Sequence, residues 1–256
     1  MNFKLDADII KITVIGSGNA FNSSGRSHSS YLVETSTGKF FLMDAGPTTL
    51  YRLKQMHFPS DRIDCILFTH FHGDHMGGIP FLLLDMDIMC KRKREIILMG
   101  PRGISEKWKS WYKLAYGDHR LAFEVKTVEL SGEEVFFTGV KIIPGKITHN
   151  PESIGYRIED ASGRSLAYTG DSFCDENMIN LMRNTDMAIM ELSMEKQTNP
   201  PTAHVSLEEL QIIRNRLGTK RLILTHTTDE ISRKAVAMNL GEAAFDGMEL
   251  FIQKRL

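Results

Sequence analysis

Between positions 69 and 75 the chain reads Thr-His-Phe-His-Gly-Asp-His, which places His70, His72, Asp74 and His75 within six positions. The segment before it, Ile63 to Thr69, is apolar and predicts a short buried strand that delivers the chain into the cluster. Only nine histidines occur in the whole sequence, so three of them in one short segment after a strand form a metal-ligand pattern rather than a chance surface loop. Imidazole and carboxylate suit Zn²⁺, and also Mn²⁺ or Fe²⁺. Such close spacing does not seat all four groups on one ion. A loop can split them, His70 with His72 toward one metal and Asp74 with His75 toward a second, with Gly73 giving the backbone its freedom.

Elsewhere apolar, β-branched runs alternate with helical patterns. Strands are predicted at Ile9 to Ile15, Ser30 to Thr35, Lys39 to Asp44, Ile96 to Met99, Ala122 to Glu129, Glu134 to Ile143, Gly155 to Glu159, Ser165 to Thr169, Asp186 to Leu192 and Arg221 to Thr225. Helices are predicted over Thr48 to His57, where Pro47 suits a helix start, and over Met76 to Met86, Ser105 to Tyr116, Ser206 to Leu217 and Glu230 to Leu240. This order fits two sheets packed face to face and covered outside by helices. No internal repeat, low-complexity stretch or Pro/Gly-rich linker interrupts it, so a single domain over 1–256 is expected.

Composition narrows the function. With 31 basic against 32 acidic residues and a formal net charge of -1, the chain is not a globally basic nucleic-acid binder. Cys65, Cys90 and Cys174 are odd in number and form no CxxC pair, which points to a reducing, cytoplasmic setting. Met1 to Asp8, with Lys4, Asp6 and Asp8, does not read as a signal peptide. No apolar run reaches the roughly 18 residues of a membrane span.

Further ligands are expected at other strand ends. His149 in Ile147-Thr148-His149-Asn150, Asp171 in Tyr168-Thr169-Gly170-Asp171-Ser172 and His226 in Ile223-Leu224-Thr225-His226 each follow an apolar run. Taken singly, His149 would serve as a loop cap, Asp171 as a helix N-cap and His226 as a core histidine. Beside the 70–75 cluster, all three read as ligands.

With these residues the sequence resembles the metallo-β-lactamase fold superfamily, over nearly the whole chain. Gly16-Ser17-Gly18-Asn19-Ala20, Met43-Asp44-Ala45-Gly46-Pro47 and Tyr168-Thr169-Gly170-Asp171 are similar to that family's recurring turns. The resemblance implies an α/β protein with an αββα four-layer sandwich. It implies that His70, His72 and His149 hold one divalent ion, that Asp74, His75 and His226 hold the other, and that Asp171 bridges them. Asp44 would orient a ligand histidine.

Asp171 at the bridging position, where β-lactamases proper use a cysteine among their later ligands, is similar to the phosphodiesterase and ribonuclease branch. The order Asp186 to Glu191, Ala203-His204-Val205-Ser206 and Leu224-Thr225-His226 resembles the end of ribonuclease Z. There the histidine matching His204 assists the leaving group and the acidic residue matching Glu191 supports it. Asp74 would orient the attacking water or accept its proton. Ribonuclease Z also carries a long arm that grips transfer RNA, between the positions matching His149 and Asp171. Here that interval holds only a predicted hairpin, Gly155 to Thr169. The expectation is therefore a dinuclear phosphodiesterase acting on RNA or on a small or cyclic phosphodiester. The competing readings are a transfer-RNA 3′-processing endoribonuclease, a hydrolase of carboxylic esters, thioesters or lactones, and a non-enzymatic metal-stabilised binding protein.

Weaker features remain. Trp108, Trp111 and Tyr112, beside Lys107, Lys109 and Lys113, read first as a packing stripe with solvated lysines, though such a face would also suit nucleobases or the second copy of a homodimer. Arg26 and His28, in the loop Asn22 to Ser30, would line the site's mouth or sit in a mobile loop. The run Lys91 to Arg94 reads as a solvated connection, Cys174 as a small hydrophobe facing a helix, and His204, alternatively, as a loop residue before a helix capped by Ser206.

Overall fold

The computed structural model describes residues 9–253, and Met1 to Asp8 lie outside the described residues. In chain order the elements are β1 (Ile9–Gly16), β2 (Ser30–Glu34), β3 (Phe40–Met43), α1 (Thr49–Gln55), β4 (Ile63–Leu67), α2 (Gly73–Met76), α3 (Ile79–Leu84), β5 (Ile96–Gly100), α4 (Ile104–Tyr116) and β6 (Val125–Glu129). There follow β7 (Val135–Phe137), β8 (Val140–Lys146), β9 (Ile154–Asp160), β10 (Ser165–Tyr168), α5 (Glu176–Met182), β11 (Met187–Glu191), α6 (Leu207–Ile213), β12 (Arg221–Thr225), α7 (Asp229–Ala237), β13 (Glu242–Ala243) and β14 (Glu249–Gln253).

These strands form two seven-stranded sheets, ordered β14-β1-β2-β3-β4-β5-β6 and β13-β12-β11-β10-β9-β8-β7. Within the first, β3, β4, β5 and β6 are parallel. Within the second, β10, β11, β12 and β13 are parallel, and two antiparallel steps through β9 make β8 run the same way as β10.

The two-residue period of a strand explains the layers. Phe41 and Met43 of β3 and Cys65 and Leu67 of β4 point between the sheets, where they meet Leu166, Tyr168 and Ile189. Their neighbours Phe40, Leu42 and Ile66 face outward onto Leu53, Ile79, Leu82 and Ile104 of α1, α3 and α4. On the far side Ala188 and Met190 face Met178, Leu210 and Ala235 of α5, α6 and α7. Strands buried on both faces read as apolar runs rather than alternating ones, which is how β11, β12 and, apart from Asp64, β4 appear in the sequence. The result is the α/β class and the αββα sandwich that the sequence implied.

Several boundaries differ from the sequence reading. The helix expected over Met76 to Met86 is broken into α2, α3 and a π-helical turn at Asp85–Met89. Gly77 and Gly78 fall at the break; a Cβ on Gly78 would stand 2.2 Å from the Gly46 carbonyl, so this glycine lets the chain press against the loop after β3. The strand expected over Glu134 to Ile143 is a hairpin, β7–β8, turned by Thr138 and Gly139 in the left-handed region. The Lys91 to Arg94 run is not simply solvated. Arg92 is 3% exposed, and its guanidinium donates to the carbonyls of Asp61, Ile63, Arg94 and Glu95. Strand β14 was not anticipated, and the helix expected after Asp171, to which no bounds were given, is α5, starting at Glu176. Cys174 packs partly buried against the outer core of the second sheet, and no disulfide forms among the described residues. Among them, too, no helix is long and apolar enough to cross a membrane.

Candidate metal centre

Six strands running the same way within their sheets end at one rim, and the predicted residues come from the loops that follow them or from the last strand position. Asp44 follows β3, the His70–His75 cluster follows β4, His149 follows β8, Asp171 follows β10, Glu191 ends β11 and His226 follows β12. The seven residues expected as ligands are thereby brought together. One set is His70, His72, His149 and Asp171; a second is Asp74, His75, Asp171 and His226; within each, the donor atoms all lie within 4.8 Å of one another.

Asp171 belongs to both sets through different oxygens. Its Oδ2 lies 3.9 Å from His70 Nε2 and 3.8 Å from His149 Nε2. Its Oδ1 lies 3.1 Å from His75 Nε2 and 3.4 Å from His226 Nε2. Asp74 Oδ2 stands 3.3 Å from both His75 Nε2 and His226 Nε2.

The outward nitrogens fix how the rings face. His149 Nδ1 sits 2.8 Å from the Ala203 carbonyl, which can only accept, so Nδ1 carries the proton and Nε2 presents a lone pair inward. His75 Nδ1 donates in the same way to Asp44 Oδ2 at 2.8 Å. His70 Nδ1 is 3.0 Å from the Thr69 hydroxyl, which itself donates to Asp44 Oδ2 at 2.8 Å. His226 Nδ1 is 2.9 Å from Ser193 Oγ. His72 is the exception, with Nδ1 turned toward His149 Nε2 at 3.2 Å.

Asp44 is fully buried and also accepts from the Thr69 backbone N–H at 2.8 Å and from Tyr168 Oη at 2.7 Å. Asp44 and His226 both have positive φ, 55° and 52°, a conformation costly for such residues and held here by the backbone bonds Asp44 N–H to Leu67 and His226 N–H to Ser17. A Cβ on Gly46 would lie 2.2 Å from the Asp74 carbonyl and 2.4 Å from His28 Cβ, so the metal loop seats against the β3 loop only over a glycine.

The donor set suits a metal. His70 Nε2, His75 Nε2 and Asp171 Oδ1 are buried without a well-aligned hydrogen bond, the last two facing each other at 3.1 Å, although buried polar atoms are normally satisfied. All three belong to the converging sets. The electrostatics agree. Burial and neighbouring imidazoles hold His70 well below the usual histidine range, and burial with His149 lowers His72. At His75 burial works against charge, but the carboxylates of Asp171 and Asp44 outweigh it and raise the ring well above that range. At Asp171 burial is outweighed by His226 and His75, and the carboxyl falls well below the usual range. Buried carboxylates here draw positive charge onto themselves, as protons on imidazole or as cations.

His204 stands at the rim with Glu191. Its Nδ1 is 3.0 Å from both Glu191 oxygens, and its ring stacks at 5.9 Å on His226 and lies 5.0 Å from His149. Burial lowers its proton affinity, but the Glu191 carboxylate overrides this and raises the ring to about 9. Glu191 is itself pinned by the Ser172 N–H and Ser193 hydroxyl. Ser206 makes the expected cap, a reciprocal capping box with Glu209 on α6.

Other expectations resolve differently. Asp171 does not cap a helix; Asp175 caps α5. Arg26 does not reach the centre but pairs with Asp229 at 2.7 Å, and buried His28 is tied to Thr48. Tyr112 is buried and Trp108 partly buried in the outer core of the first sheet, as a packing stripe would be, whereas Trp111 is 36% exposed beside Gly73. Tyr168, Thr69, Ser193 and the Ala203 carbonyl escaped the sequence reading as supports. Their only signal was adjacency to a ligand or to Glu191.

A family model described as Anti-Pycsar protein Apyc1 matches residues 10–248. The chain is similar to the uncharacterised protein Rv1339 of Mycobacterium tuberculosis, 29% identical over 248 residues, covering 93% of this chain and 88% of that one. It is similar to ribonuclease Z of Archaeoglobus fulgidus, 24% identical over 280 residues, covering 89% and 90%. Among solved structures, the metallo-β-lactamase fold protein YhfI from Bacillus subtilis matches with a TM-score of 0.80 at 22% identity, over 96% of this chain and all of that one, and this likeness establishes the fold.

Proposed function

This chain belongs to the family described as Anti-Pycsar protein Apyc1, and on that footing we propose that it is a dinuclear metal-dependent hydrolase of phosphodiester bonds. One observation carries the reading: a buried carboxylate, Asp171, turns one oxygen to each of two converging donor sets. His70, His72 and His149 would hold one divalent ion and Asp74, His75 and His226 the other, with Asp171 shared. Nitrogen and carboxylate donors suit Zn²⁺, with Mn²⁺ or Fe²⁺ as alternatives. When bound, such a pair lowers the pKa of a shared water and offsets charge on the phosphate oxygens.

The chain's own residues supply the rest. Asp74, with its side chain 12% exposed, is the most accessible carboxylate of the two sets and would orient the attacking water or take its proton. His204 would donate a proton to the departing oxygen. Glu191 keeps it charged near neutral pH and fixes Nδ1, while Nε2 has no partner among the described residues. This pair favours a phosphodiester over a carboxylic ester or lactone, since an alkoxide leaving from phosphorus needs the proton more. A small or cyclic diester is favoured over a transfer-RNA precursor. Between His149 and Asp171 the chain makes only the β9–β10 hairpin, turned by residues 161–164.

The test is turnover of bis(4-nitrophenyl) phosphate, a cyclic nucleotide, a transfer-RNA precursor and a lactone by protein loaded with Zn²⁺ or Mn²⁺. Hydrolysis of the cyclic nucleotide, whose leaving group is an unactivated alkoxide, that falls about 10²–10⁴-fold in His204→Ala, with metal content unchanged, is the expected result. Full turnover of an unactivated diester by that variant would remove the leaving-group role. Lactone hydrolysis without diester hydrolysis would replace the reading altogether.

A further inference from the structure

A cleft of about 570 Å³ opens beside the metal centre, with His72 and Phe71 on one wall and Arg102, Lys107, Asn150 and Glu152 around it. A second cavity of about 460 Å³ shares Arg102 and Glu152 as walls and continues to Lys146. Arg102 thus borders both cavities, one of which reaches His72.

The charges lining the cleft are unspent. Arg102 and Lys107 make no ion pair and no side-chain hydrogen bond with any described residue, and the Lys107 ammonium rests 6.0 Å from the centre of the Phe71 ring. Glu152 is likewise unpaired, so these three groups leave a formal charge of +1 in the cleft (two cations, one carboxylate). Arg102 precedes the N-cap of α4 and Lys107 closes its first turn, and the helix dipole adds to the same sign.

We propose that this cleft is the subsite for a second phosphate of the substrate, a phosphate monoester carried on the group flanking the scissile diester, with Arg102 and Lys107 as the residues that read it. The assignment rests on the phosphodiesterase reading above. A monoester carries about −1.5 to −2 charge at neutral pH, which two adjacent cations match better than the single charge of a further diester linkage. Arg102 offers a planar fork of donors for phosphate oxygens, and Lys107 a mobile point charge. Glu152 sets an upper limit on the attraction.

The test compares, by calorimetry on Zn²⁺-loaded protein, the affinity for adenosine 3′,5′-bisphosphate with that for adenosine 3′-monophosphate and adenosine 5′-monophosphate. A preference for the bisphosphate of roughly 10- to 100-fold is expected from one or two charge-assisted contacts. Arg102→Ala should remove most of it, Arg102→Lys should restore part, and Arg102→Ala with Lys107→Ala should bring the three ligands to within about threefold. Glu152→Gln should strengthen the preference. Equal affinities in the natural protein, or a preference that survives in the double variant, would overturn the assignment. Turnover of bis(4-nitrophenyl) phosphate by the natural protein separates the two readings. If that diester is inert while the preference exists and disappears in the variants, the phosphodiesterase reading fails and the anion subsite stands.

Discussion

Replacing Asp44 with asparagine tests whether the centre depends on buried groups that never touch metal. Asp44 Oδ2 accepts from His75 Nδ1, Thr69 Oγ1 and Tyr168 Oη, while Oδ1 accepts from the Thr69 backbone N–H. An asparagine can keep its oxygen on the backbone N–H and turn its amide nitrogen toward the other three. The Thr69 and Tyr168 hydroxyls can rotate to accept its two hydrogens, but the His75 ring then faces a donor with a donor. To escape, His75 must move its proton to Nε2, the atom that faces Asp171. Either way the ligand is impaired. Losing a hydrogen bond to a charged group costs about 1.5–3 kcal/mol. Removing the support behind a metal-bound histidine typically weakens metal binding 10- to 100-fold, which is about 1.4–2.7 kcal/mol. The two routes agree, so Asp44→Asn should weaken one of the two bound ions by one to two orders of magnitude and leave the other nearer its original affinity. Competition against a chromogenic chelator, with thermal unfolding of the metal-free protein to verify folding, reads this directly. A folded Asp44→Asn protein that holds both ions within about threefold of the natural affinity would refute the reasoning, and with it the view that His75 is oriented through Asp44.

Three further outcomes follow from the same geometry. His204→Ala should keep its metal content and lose about 10²–10⁴-fold in turnover of an unactivated diester, both measured on the same sample. Glu191→Gln should shift the alkaline limb of the pH–rate profile to lower pH. His204 acts only while protonated, the Glu191 carboxylate holds its proton affinity up at about 9, and a neutral amide no longer does; an unmoved limb would mean that His204 is not the titrating acid. Arg92→Ala should destabilise the fold by roughly 2–4 kcal/mol, because four carbonyls, those of Asp61 and Ile63 at the start of β4 and of Arg94 and Glu95 before β5, lose a buried guanidinium. Arg94→Ala should cost no more than about 1 kcal/mol, since Arg94 is 47% exposed; denaturant titration of both variants checks the contrast.

How far the sequence revealed the fold depends on which force set each element. β4, β11 and β12 were legible because burial on both faces leaves long apolar runs. The helix after Asp171 was expected without bounds and with the wrong cap, because Glu176–Met182 is only two turns long and Asp175 is one of several acidic and polar residues between Asp171 and Asn177. The β7–β8 hairpin was read as one strand because its turn, Thr138 and Gly139, contains no proline and no Asn-Gly pair. β14 was invisible because its place is decided by pairing with β1, more than 200 residues away. Arg92 was misread for a related reason. Nothing local to a basic run tells that one of its members is needed to satisfy carbonyls thirty residues upstream.

The site divides along a similar line. Ligand types carry their chemistry in their own side chains, so His70, His72, Asp74, His75, His149, Asp171 and His226 could be proposed from residue type and position after a strand. The groups that make those ligands usable are ordinary residues whose role exists only in three dimensions. A threonine, a tyrosine, a serine and a backbone carbonyl hold the outer nitrogens or the carboxylate behind them, and none is distinctive as a type. Arg102 and Lys107 are the same case at the rim. In sequence they belong to a turn and to a helix with other lysines; only the cleft that joins them to His72 makes their unpaired charge a statement about substrate. That asymmetry gives the two kinds of residue different tests. A variant of one of the seven proposed ligands should lose metal and activity together, whereas a variant of Arg102 should change which phosphates are bound without touching the donor set proposed to hold the ions.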